Sequence, residues 1–197
     1  MQDSVTFDAK TAMEAYRNAF EQGCSEFLKR YPETELYAPV RYLMALGGKR
    51  LRPVLVMAAC EASGGRPEEA LPAALAVELF HNFTLMHDDI MDDAPLRRGM
   101  PTVHEKWNDN TAVLSGDALH VMACEALLDA PDKALPDLLR TFHRTALEVC
   151  EGQEQDMAFE SRRDVTIEEY MEMIRLKTSV LLAAALDMGG KSAGADR

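Results

Sequence analysis

Aromatic residues are scarce, 7% of 197 with a single tryptophan, and alternating strand-like runs bounded by hairpin turns are absent. A sheet-based core is therefore not expected. Paired cysteines are also missing: Cys24, Cys60, Cys124 and Cys150 are widely spaced, with no CxxC and no accompanying histidine pattern, so they read as the reduced thiols of a cytoplasmic protein. The longest uncharged apolar run near the end, SVLLAAAL, falls far short of the ~20 residues that cross a bilayer, so no transmembrane segment is expected, and the opening MQDSVTFDAK is polar rather than signal-like. Positive charge is in deficit, with 21 Lys and Arg against 33 Asp and Glu and a net charge of -12. That balance argues against nucleic acid and anionic membrane as partners, and any phosphate-bearing ligand must meet locally concentrated bases.

What is abundant is apolar helix-forming sequence. Hydrophobic residues make up 47%, rich in Ala, Leu and Met, and apolar positions recur at helical spacing in nearly every segment. The expected fold is all-α, in one domain spanning 1–197. Helices are predicted over about 7–30, 38–46, 53–63, 67–92, 111–129, 133–161 and 166–188, with Gly47-Gly48 and Gly64-Gly65 as breaks. The polar stretch 93–110 reads as a loop carrying chemistry. The last eleven residues, from Asp187, read as a break between two helices rather than as a tail.

Four aspartates, Asp88, Asp89, Asp92 and Asp93, end the apolar stretch VELFHNFTLM. A helix C-terminus disfavours negative charge by roughly 0.3–1 kcal/mol per group, so something positive belongs there. Asp88 and Asp92, four apart, share one helix face, and an all-oxygen pair of this hardness suits Mg2+, which keeps room for waters and substrate phosphates. Arg97 and Arg98 follow in PLRRG. Carboxylate, metal and guanidinium together describe a diphosphate site.

A second basic group, Lys49, Arg50 and Arg52 in GGKRLRP, stands just before a helix start, where free N–H groups already attract anions. His81 lies two turns, about 10 Å, before Asp88 on the same face, as a packed core residue or as a site residue. Gln153 and Asp156 of GQEQD are three apart and either line a wet cavity or face solvent. Lys177-Thr178 opens an apolar run, where an ammonium can pair with the acids, clamp a phosphate or snorkel to solvent.

In order and separation, GGKRLRP, HNFTLMHDDIMD, PLRRGMPT, GQEQD and KTS resemble the trans-type isoprenyl diphosphate synthases, all-α enzymes that condense prenyl chains. The resemblance implies a single-domain helical bundle of the isoprenoid synthase type, commonly a homodimer. It implies a Mg2+-dependent prenyltransferase joining an allylic diphosphate to isopentenyl diphosphate, 1'-4 and head to tail, with release of diphosphate. By the same resemblance Asp88 and Asp92, assisted by Asp89, hold Mg2+, and Arg97 contacts the allylic diphosphate. Lys49, Arg52, His81 and Arg98, with Arg50 beside them, bind isopentenyl diphosphate. Lys177 and Thr178 steady the departing diphosphate, and Gln153 and Asp156 line the cavity.

Phe83, five residues before Asp88 and about 7.5 Å down the helix, resembles the floor that stops chain growth, with the small Thr84 beside it. A short product is implied, geranylgeranyl or farnesyl diphosphate. One departure stands out: the family's second aspartate-rich motif, FQxxDDxxD, does not occur, so the chain reads as an N-terminal part incomplete at its C-terminus. Two rival readings remain. A terpene cyclase would leave GGKRLRP without a task, and a non-catalytic or regulatory diphosphate-binding subunit rests on the missing motif alone.

Overall fold

The computed structural model describes residues 8–195. Helices α1 (Ala9–Leu28), α2 (Ala38–Ala45), α3 (Leu51–Ala62) and α4 (Leu71–Met91) are followed by the two-residue strands β1 (Leu96–Arg97) and β2 (Met100–Pro101). Then come α5 (Val103–Lys106), α6 (Asp109–Leu127), α7 (Leu135–Ser161), α8 (Ile167–Ile174) and α9 (Val180–Ser192). The all-α expectation holds, with one correction. The stretch 93–110 is not a plain loop: β1 and β2 pair antiparallel, Leu96 opposite Pro101 and Arg97 opposite Met100, around Gly99 at φ +79°.

The centre of the bundle is α4. Its residues from Ala73 to Phe80 are buried without interruption, so this segment is enclosed on all sides, as a helix apolar all round must be. It packs along α6, while α3 packs along α9 and α9 along α7. Leu79, Phe80, Leu119, Leu138 and Phe142 meet in the resulting core, each contributing roughly 1.5–3 kcal/mol by leaving water.

Helix ends follow local chemistry. Asp8 caps α1 through Lys10 N at 3.1 Å, Asn108 caps α6 through Thr111 N at 2.9 Å, and Thr166 with Glu169 forms a reciprocal capping box on α8. The expected break near Gly189-Gly190 is not there. Both glycines are helical, and a Cβ on Gly189 would lie 2.2 Å from Val56 O, so this glycine lets α9 press against α3. The helix stops later, at Gly194 (φ +78°), where Ala195 N donates to Gly190 O and Gly194 N to Lys191 O, the bonding of a Schellman stop.

Arg50 is fixed by the same core. Glu78 sits in the enclosed part of α4 and is 3% exposed, so its carboxylate requires a buried cation. Arg50, at φ +49°, turns inward to supply it: Nη1 donates to Glu78 Oε1 at 2.8 Å, Nε to Glu21 Oε1 at 2.7 Å, and Nη2 to Met44 O at 2.7 Å. This sets it apart from Lys49 and Arg52: each of its three nitrogens donates within the fold, and its side chain is 2% exposed.

Candidate functional site

A cavity of about 690 Å3 opens between α4, α7 and the segment joining α8 to α9. Arg52 and His81 lie on its wall, as do Asp88 and Lys177, with Phe83 and Leu181 among its apolar lining. Gln153, Thr178 and Thr84 line it as well. The face shared by His81 and Asp88, read from helical spacing, is thus one face of one cavity; Asp92, expected on the same face, is not among its lining.

The acidic side is built by two helices and a local irregularity. Lys177 Nζ donates to Asp88 Oδ1 at 3.2 Å and to Asp156 Oδ2 at 2.5 Å, bridging α4 and α7. Burial lowers the affinity of Lys177 for its proton, and the two carboxylates outweigh it, so its pKa lies above the ordinary lysine value. Asp92, exposed at the end of α4, goes the other way: its partial burial, then the charge of Asp88, raise its carboxyl above the usual range although Lys177 pulls it down. Charge of one sign is therefore still in excess at this end, and a hard divalent cation fits the donor chemistry. Asp88 and Asp92 would offer oxygens to such an ion; among the described residues no group of three His, Cys, Asp or Glu donors includes them, which would leave positions for water or phosphate oxygens.

Lys177 reaches this point because Arg175–Ser179 forms one π-helical turn between α8 and α9. Such turns widen a helix locally and collect at functional sites. Gly152 receives the turn: a Cβ there would stand 2.3 Å from Lys177 N. The sequence reading used GQEQD for Gln153 and Asp156 and overlooked its glycine, although a glycine inside a helical pattern is itself a signal of close backbone approach.

Asp89 and Arg97 occupy different ground. Asp89 is 2% exposed, off the Asp88 face, and accepts from Arg97 Nε at 2.7 Å and Nη2 at 2.6 Å. The pair ties the β1–β2 hairpin to α4, further closed by Thr102 Oγ1 donating to Ala94 O at 2.7 Å. Arg97 thus gives Nε and Nη2 to Asp89 while its side chain stays 23% exposed, and both Asp89 oxygens accept from Arg97.

The basic side joins two motifs distant in sequence. The Arg98 guanidinium, on a residue at φ +53°, rests on Gly48, whose added Cβ would be 3.1 Å from it. Arg98, Arg52 and the exposed Lys49 make no ion pair among the described residues, and Arg52 Nε is buried without a hydrogen-bond partner. Burial foremost lowers the pKa of Arg52 and of Arg98. His81 stands among these cations: burial, then Arg52, Arg98 and Arg97, push its pKa down to about 3, so the imidazole is neutral. Guanidinium groups without an ion-pair partner beside a neutral imidazole are chemically suited to an anion.

Phe83 does not stand alone below the aspartates. Its ring centroid lies 4.7 Å from that of His87, 5.1 Å from His120 and 5.5 Å from Phe80. Close packing here depends on Gly116, where a Cβ would meet the His87 ring at 2.3 Å.

The sequence and the fold are similar to those of known proteins. The polyprenyl synthetase family model matches residues 33–197. A geranylgeranyl diphosphate synthase of Methanosarcina mazei is 50% identical over 163 residues, 82% of this chain and 50% of that protein. A geranylfarnesyl diphosphate synthase of Natronomonas pharaonis is 40% identical over 205 residues, 95% of this chain and 60% of that protein. Among solved structures, a geranylgeranyl pyrophosphate synthase superposes with TM-score 0.92 at 49% identity, covering 94% of this chain and 57% of the other. A geranylgeranyl pyrophosphate synthetase from Pyrococcus horikoshii superposes at 0.87 and 41% identity, covering 94% and 57%. The chain spans about half to three fifths of the length of these relatives. With Asp88 and Arg52 lining one cavity, the isoprenoid synthase helical fold, and a family model covering most of its residues, this chain belongs to the polyprenyl synthetase family.

Proposed function

We propose that the protein is a trans-prenyltransferase of short-chain type, condensing an allylic diphosphate with isopentenyl diphosphate to geranylgeranyl or farnesyl diphosphate. The observation that carries this reading is one cavity lined by the Asp88 carboxylate with its Lys177 partner, by the Arg52 guanidinium, whose Nε has no partner, and by apolar side chains. Two diphosphates need two charge patterns, one met by carboxylates through a metal and one met by cations directly.

Asp88 and Asp92 would hold Mg2+, and Asp156 stands one lysine away. When bound, the ion supplies charge neutralisation to a diphosphate leaving group. Lys177 and Thr178 lie beside that position, where the ammonium stabilises charge developing on the departing oxygens. Lys49, Arg52 and Arg98 hold the second diphosphate, and neutral His81 donates or accepts a hydrogen bond there without adding charge. Phe83, Leu181 and Val149 keep water from the allylic cation and leave the double bond of the second substrate as its nearest nucleophile. Phe83, backed by His120, limits how far the chain extends.

We place the protein as one domain in the cytoplasm; no helix among the described residues is long and apolar enough to cross a membrane. We pair two copies through the exposed strip of Leu114, Val121 and Leu128, seven residues apart along α6 and its C-cap. The test is incubation with radiolabelled isopentenyl diphosphate, an allylic primer and Mg2+, then solvent extraction. Extractable label that disappears in Asp88→Ala supports transfer, whereas binding without product, or cyclic hydrocarbon from the primer alone, overturns it.

A further inference from the structure

The stretch after α4 folds back on itself, so that Asp93 at its start meets His104 and Glu105 at its end. One imidazole nitrogen and one oxygen of each carboxylate all lie within 4.8 Å of one another. The His104 side chain is 5% exposed, and neither ring nitrogen has a hydrogen-bond partner. Its Nε2 is 3.9 Å from Glu105 Oε1, beyond hydrogen-bond reach. A buried imidazole presents one donor and one acceptor, and native structures seldom leave both open. Asp93 is brought to this point by a left-handed backbone, φ +48°, a conformation aspartate adopts more readily than most residues. None of these three side chains has a task in the transfer reaction.

We propose that Asp93, His104 and Glu105 bind one divalent transition-metal ion of the zinc type, at a site separate from the Asp88–Asp92 pair. Imidazole nitrogen and carboxylate oxygen are both ligand types that zinc accepts, and three protein donors with a remaining position open match the number found in its open sites. The imidazole is what separates the two sites: Mg2+ favours oxygen donors alone and belongs with the aspartate pair, whereas nitrogen beside oxygen favours zinc. The ion supplies the partner that His104 lacks, and the exposed carboxylates leave it a path from solvent. Bound there, it fastens residue 93 to residues 104 and 105 and so closes the base of the hairpin carrying Arg97 and Arg98. This inference is independent of the prenyltransferase reading, and its probe is the metal alone.

The test is calorimetric titration of the chelator-stripped protein with zinc chloride, with and without excess Mg2+, and absorption spectroscopy of the Co2+-substituted form. Asp93→Asn/Glu105→Gln alters only exposed side chains and keeps the fold checkable by circular dichroism, while His104→Gln removes the nitrogen ligand. The expected result is one zinc ion per chain, retained against Mg2+. Affinity falls at least about tenfold in Asp93→Asn/Glu105→Gln and is unchanged in Asp88→Asn/Asp92→Asn. Absence of zinc binding by the folded protein, unaltered affinity in Asp93→Asn/Glu105→Gln, or loss confined to Asp88→Asn/Asp92→Asn overturns the proposal.

Discussion

Replacing Arg50 by methionine separates a role in the fold from a role in ligand binding. Methionine keeps the apolar stem and removes three hydrogen bonds, to Glu78 at 2.8 Å, Glu21 at 2.7 Å and Met44 O at 2.7 Å. The partners are unequal. Glu21 is 47% exposed at its side chain and water replaces the lost cation, so that pair contributes about 0–1 kcal/mol. Glu78 is 4% exposed at its side chain, and stripping a buried carboxylate of its partner costs about 3–5 kcal/mol. Against a total stability of about 5–15 kcal/mol for a domain, Arg50→Met therefore removes a large share. Urea unfolding followed by circular dichroism reads it directly, with Glu21→Ala expected to change little and Arg50→Met/Glu78→Leu to recover most of the loss, since no charge then remains buried. A loss below about 1 kcal/mol in Arg50→Met, together with weakened diphosphate binding, would return Arg50 to the ligand site and refute the reasoning.

Gly152→Ala places a methyl group 2.3 Å from Lys177 N; overpacking of this kind costs about 1–3 kcal/mol, and the displaced lysine should lower turnover more than the affinity for either substrate, as steady-state kinetics beside urea unfolding will show. His81, neutral in the fold with a pKa of about 3 against an ordinary 6.5, contributes stability that is fully present above pH 6.5 and declines as pH falls toward 3, because the unfolded chain takes up the proton first. His81→Gln should therefore flatten the change in urea midpoint between pH 7.5 and 5, and a His81 imidazole that titrates near 6.5 by NMR contradicts this. Phe83→Ala removes the ring packed on His87 and His120 and should lengthen the prenyl product by at least one five-carbon unit on thin-layer chromatography; an unchanged product removes Phe83 from the account.

Much of the fold was legible because its signals are local. Apolar residues at helical spacing, the Gly47-Gly48 break and the prolines near helix starts placed α1 to α4 within a few residues, and the shared face of His81 and Asp88 follows from periodicity alone. What could not be read depends on partners distant in the chain. Lys49, Arg50 and Arg52 look alike in GGKRLRP; only the buried Glu78 of α4, 28 residues away, distinguishes Arg50 from the other two. The RRG arginines split for the same reason: Asp89 takes Arg97 and Gly48 receives Arg98. The π-helical turn at Lys177 leaves no compositional mark of its own, since it arises where α7 offers Gly152. At the chain's last described turn, Gly189-Gly190 looked like a break because glycines usually end helices, yet here the first is needed for contact with α3 and Gly194 provides the stop.

The most direct measurement of the central claim, that the aspartate face carries excess negative charge which a metal and a diphosphate neutralise, is a thermal unfolding comparison of Asp92→Asn with the unaltered chain. Each is melted in chelator and again with Mg2+ and inorganic pyrophosphate together. Because Asp88 and burial oppose ionisation of Asp92, the variant should unfold at the same temperature as the unaltered chain or a higher one in chelator, and should gain far less from Mg2+ with pyrophosphate. A variant that is less stable in chelator, yet gains as much from the two ligands, would contradict the account.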